Sequence, residues 1–164
     1  ASPFYNLAYF RFAAGDLDGA GQALDRVEKL APGYALAGLL RVQIDLARGR
    51  IDLAGSRVET NPILGLVAEA LVADARGERD AALRAVAALE ENYAQTAPYQ
   101  IAGVYARLGD TDTAFRWLER ALEVRDPGLT ELAVDPLLGS LRQDARYREL
   151  LARVGLPSSS RDSP

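Results

Sequence analysis

The hexapeptide Gly109-Asp110-Thr111-Asp112-Thr113-Ala114 sits between two alanine- and leucine-rich stretches, each long enough for a helix. Its skeleton, Gly-x-x-Asp-x-Ala, recurs at Gly15, Asp18 and Ala20, at Gly49, Asp52 and Ala54, and at Gly77, Asp80 and Ala82. The glycines stand 34, 28 and 32 residues apart. Each copy reads as the tight turn of a helical hairpin. Glycine supplies the positive φ that closes one helix, and Asp16 and Asp110 are placed to cap the next. The repeated aspartate falls in the first turn, where the helix dipole favours negative charge. Alanine five positions after the glycine keeps the paired helices close, because a larger side chain would push them apart.

Outward from these turns, apolar residues recur at three and four: Leu17, Ala20, Leu24 and Val27, and again Thr111, Ala114, Phe115, Leu118, Ala121 and Leu122. One hairpin cannot cover such a stripe, so neighbouring pairs are expected to stack. The spacing resembles the tetratricopeptide repeat, a 34-residue antiparallel helix pair. The first unit carries the resemblance through Phe4, Leu7, Ala8, Gly15, Ala20, Leu24, Val27 and Pro32. The fourth carries it through Ile101, Ala102, Tyr105, Gly109, Ala114, Leu118, Ala121 and Pro127, and the third through Leu66, Ala70, Gly77, Ala82, Val86 and Leu89. In the third unit the second helix extends to about Tyr93. The second unit departs from the pattern: Gly38, Arg41 and Asp45 occupy packing positions, and Pro62 is expected to cut its second helix about one turn short. The resemblance implies an all-α, right-handed superhelical solenoid of helix pairs at about 1–34, 35–62, 63–94 and 95–128, in one domain spanning 1–157.

Residues 129–157 read as capping helices. Asp135-Pro136 starts one, leading into Leu137, Leu138 and Leu141. Asp144 starts another, with Tyr147, Leu150, Leu151 and Val154 on one stripe, stopped by Gly155 and Pro157. Trp117 is expected to pack beneath this lid. Residues 158–164 read as a flexible tail. The run from Val134 to Pro157 also resembles the ending of tetratricopeptide regions in multidomain bacterial signalling and transcription-regulating proteins. The chain contains no methionine, which suggests a piece of a longer protein.

Composition narrows the chemistry. The chain has 164 residues, 49% hydrophobic and 26% charged, with net charge -4, the balance of one soluble globular domain. With no cysteine and no histidine, disulfides, thiolate nucleophiles and the commonest zinc and triad arrangements are excluded. Asp110 and Asp112 imitate the opening of a calcium loop but lack its closing acid. Ser140 lacks a nucleophile elbow. Glu90 and Glu91 are about 100° apart on a helix and do not converge. No phosphate loop is present. The expectation is therefore a non-catalytic module with no cofactor and no metal. The acidic balance and dispersed arginines argue against nucleic acid. No apolar run is long enough to span a bilayer. The lack of cysteine suits the cytoplasm and leaves the periplasm open.

In the family that the chain resembles, the first helix of each pair lines a concave groove. The matching positions are Tyr5, Tyr9, Phe12, Leu39, Gln43, Leu46, Val67, Leu71, Asp74, Tyr99 and Arg107. This apolar, aromatic lining would suit a peptide, a helix or a partner domain, and places these side chains outside the core. The clamp by which some family members hold a terminal carboxylate falls on Tyr5, Tyr9, Leu40, Leu64 and Ala68, none of which pairs with a carboxylate. The alternative reading is self-association, or an intramolecular scaffold using another domain of the same protein. A carboxylate-dependent enzyme around Asp74, Tyr99 and Arg107 and a nucleic-acid-binding helical repeat are the rivals from other classes.

Overall fold

A computed structural model describes residues 3–57 and 61–157. The described residues are helical, with no strand among them. They fall into two compact units, Ala1–Asn92 and Tyr93–Pro164, where the sequence reads as a single domain from 1 to 157. The division lies between the third and fourth hairpins. The expected tail at 158–164 lies outside the described residues.

The first unit contains α1 (Pro3–Ala13), α2 (Leu17–Leu30), α3 (Ala35–Ala47), α4 (Ile51–Gly55), α5 (Pro62–Ala75) and α6 (Arg79–Tyr93). Gly15, Gly49 and Gly77 take φ of +83°, +72° and +75° at the turns, a region that L side chains rarely adopt. The alanines that follow, Ala20, Ala54 and Ala82, are buried. Asp16 caps α2 by accepting from the Gly19 amide at 2.9 Å. Within this unit α1 packs on α2, α2 on α3, and α3 on both α4 and α5. Leu24, Val27, Leu40 and Ile44 are almost wholly buried at the centre.

The second hairpin is the irregular one. Its α4 is only 5 residues long, against 14 for α2 and 15 for α6. Pro62 opens α5 instead of extending α4, with Asn61 accepting from the Ile63 and Leu64 amides at 3.0 Å. Arg41 and Asp45, on a helix face that the other hairpins fill with apolar groups, are satisfied by charge. Arg41 pairs with Asp25 at 2.6 Å and Glu28 at 3.1 Å on α2. Arg48, at the C-cap of α3, reaches Asp18 at the opposite end of α2, so the two helices run antiparallel. Burial works to lower the Arg41 pKa, but its hydrogen bonds to Glu28 and Asp25 prevail and raise it.

The second unit contains α7 (Pro98–Arg107), α8 (Thr111–Val124), 3-10 helices at Pro127–Glu131 and Pro136–Leu141, and α9 (Ala145–Val154). Gly109 takes φ +80°, Asp110 accepts from the Thr113 amide at 3.1 Å, and Ala114 is buried. Thereafter three aspartates, Asp126, Asp135 and Asp144, recur every nine residues. Each accepts a hydrogen bond from the amide two positions on, at Gly128, Leu137 and Arg146. In each segment the third and sixth residues after the aspartate are buried: Leu129 and Leu132, Leu138 and Leu141, Tyr147 and Leu150. The first two segments are 3-10 turns opened by proline, and the third is a full α-helix. Trp117 packs against the cluster that includes Leu150 and Leu151.

On the outside of this unit, Arg146 bonds Asp112 at 2.9 Å and Arg153 bonds Glu119 at 2.7 Å. Both pairs are 34 residues apart in sequence, so α9 runs parallel to α8 one repeat length further on. Asp110 and Asp144, the caps of the two helices, share that spacing.

Candidate functional site

The side chains expected to line a groove are divided by the structure. On α1, Tyr5 and Tyr9 belong to the core, each 8% exposed. Their rings stack at 6.2 Å, and Tyr34 meets Tyr5 edge-on at 5.5 Å. This cover corrects their placement outside the core, because Tyr34 comes from the end of the hairpin and encloses what α1 alone would leave bare. Val67 and Leu71 on α5 are likewise buried. Phe12, Leu39, Gln43, Leu46 and Asp74 are half-buried. Leu39 and Leu46 pack on a cluster formed by Val42, Ala54, Ala68 and Val72.

In the second unit Tyr99 is buried and Arg107 exposed. The Tyr99 hydroxyl donates to Asp135 at 2.9 Å, and its amide donates to Asp126 at 3.1 Å. Tyr99 thus locks the two proline-opened turns onto α7. Gly128 is required by that contact, since a Cβ there would stand 2.5 Å from the Tyr99 ring. Tyr147 adds a second anchor, its hydroxyl donating to the Leu132 carbonyl. Burial raises the Tyr147 pKa against the opposing pull of Arg142. Glu131 beside them is also raised, first by burial and then by the nearby Asp135 carboxylate.

Asp45 is fully buried, and both its oxygens are used: Oδ1 accepts from Arg50 at 2.5 Å and Oδ2 from Arg57 at 2.6 Å. A buried carboxylate held by two guanidinium groups is a structural clamp joining α3 to both ends of α4. Among the described residues no group of three carboxylates converges as a metal site. No helix among them is long and apolar enough to cross a membrane.

A concave feature of the first unit lies beside that clamp. An open cleft of about 530 Å³ is bounded by the end of α4, one face of α5 and the start of α6. Ala54, Gly65, Ala68 and Ala73 give it a floor of small side chains, and Leu66 and Val72 are its larger apolar groups. Arg57, Glu69, Arg76 and Glu78 stand at its edge. The sequence pattern marks Ala54 and Leu66 as packing positions of their hairpins and Ala68 as a clamp position unable to hold a carboxylate, but it does not bring the three together. The legible signal was Pro62: a helix cut short leaves its neighbour's face uncovered.

Comparison with protein-family models, with curated proteins and with solved structures finds no match for this chain.

Proposed function

We propose that the chain is a non-catalytic protein-interaction module built as a tetratricopeptide-like helical array, serving a larger bacterial signalling or transcription-regulating protein. The observation that carries the reading is the recurrent turn. Gly15, Gly49, Gly77 and Gly109 all hold positive φ between successive helices, each followed by a buried alanine five residues on. Arrays of such units bury their faces against neighbours and present extended surfaces that bind other proteins. The groups that are buried and charged support the same reading, because Asp45, Asp126 and Asp135 are occupied by structural hydrogen bonds rather than held ready for proton transfer.

Selecting a displayed peptide library on the immobilised chain tests it. Enrichment of peptides whose binding is lost on the cleft variant Leu66→Arg is the expected result, and failure to enrich any sequence counts against the module. Self-association is the second reading, favoured by the exposed apolar pair Leu7 and Phe10, 41% and 55% exposed on α1. Concentration-dependent mass in sedimentation equilibrium, removed by Phe10→Ser, would establish it.

A further inference from the structure

The cleft beside α5 has the form of an omitted helix. Second helices α2, α6 and α8 run for 14, 15 and 14 residues, whereas α4 stops after 5. The shortfall, about nine residues, corresponds to about 13 Å of helix. The lining residues Pro62, Leu66, Glu69, Ala73 and Arg76 follow one side of α5 from its first turn to its end. Small residues on that side, Gly65, Ala68 and Ala73, allow a helix backbone to approach closely.

Charge chooses the occupant. Arg57 is already bound to Asp45, and Arg76 faces Asp52 at 3.7 Å. Glu69 and Glu78 are exposed and make no ion pair among the described residues. An acidic ligand would meet two uncompensated carboxylates and find both arginines engaged, whereas a basic one would pair with the glutamates. We propose that this cleft docks a short amphipathic helix of a partner protein whose polar edge carries lysine or arginine. The inference rests on the interaction-module reading and adds the site and the chemistry of its partner.

Three fluorescein-labelled peptides of about 14 residues test it against the full chain by anisotropy at low salt. One has leucine and alanine on one helical face and lysine along its edge. The second replaces lysine by glutamate, and the third scrambles the first so that no apolar face forms. The lysine peptide is expected to bind most tightly. Glu69→Gln with Glu78→Gln, both at exposed sites where folding is retained, should weaken it about fivefold to tenfold, the loss expected of two partly exposed charge contacts. Arg76→Gln should leave it unchanged or tighter, and Leu66→Arg should abolish it with circular dichroism preserved. Tighter binding of the glutamate peptide, or equal binding of the scrambled one, overturns the proposed chemistry while the library selection still decides the broader reading. Absence of all peptide binding overturns the site. If a dimer sensitive to Leu66→Arg accompanies that absence, a second copy is the occupant instead.

Discussion

Burying the Asp45 carboxylate is tolerable because Arg50 and Arg57 occupy its two oxygens, and removing either partner would leave one buried oxygen without that hydrogen bond. Glu131 lies at the other extreme. Half-buried and beside Asp135, it is a carboxyl whose ionised form the fold disfavours, so its pKa stands above the ordinary value of 4.5. The folded chain therefore holds this proton at a pH where the unfolded chain has released it. Stability from this group is present at low pH and declines as pH rises from about 4.5 through the raised value. Glu131→Gln removes the charge while keeping the shape. It should raise the melting temperature at pH 7 and flatten the decline in a series of thermal melts from pH 4 to 8; a lower melting temperature at pH 7 would contradict this.

Five of the helical segments begin at an aspartate that accepts a backbone hydrogen bond, and α9 shows the dependence most directly. Asp144 accepts from the Arg146 amide and pairs with the Arg146 guanidinium at 2.8 Å, which lowers its pKa. Asp144→Ala should lower the denaturation midpoint, the usual result of losing an N-cap. Asp144→Asn, which keeps the cap and loses the charge, should recover most of that. Chemical denaturation followed by Trp117 fluorescence measures both, and equal losses would assign the effect to the ion pair instead. The four glycine turns were legible in the sequence because a positive φ is a local demand, and the shortening of α4 was legible only in part, because Pro62 accounts for about one missing turn whereas α4 ends already at Gly55. Arg41 was less so. Its partners Asp25 and Glu28 come from another helix, and nothing in the spacing of α3 reveals them. The burial of Tyr5 escaped the pattern for the same reason, since Tyr34 reaches it from beyond the hairpin. The nine-residue recurrence of Asp126, Asp135 and Asp144 is present in the sequence, but a search for periods near 34 passes over it.

Across the whole chain, 19 basic residues face 23 acidic ones, and most of the visible pairing is at exposed positions such as Arg48 with Asp18 and Arg153 with Glu119. Pairs of this kind contribute little individually and are screened by salt. Raising sodium chloride from about 0.05 M to 1 M should therefore lower the melting temperature by no more than about 4 °C, the shift that about 1 kcal/mol produces in a chain of this size. A fall beyond about 10 °C would mean that surface charge, rather than the buried leucine and alanine faces, holds the fold. Each of the two units has its own buried apolar residues, so neither depends on charge alone for a core. The second unit closes on its series of aspartate-led turns. Each segment there brings a start signal and two inward anchors, which makes the stretch adjustable in steps of one segment. Excising residues 127–135 would bring Asp126 directly onto Pro136, re-creating at the splice the same dipeptide that opens both turns today, while a cut that is not a whole segment would swing the leucines away from the interior.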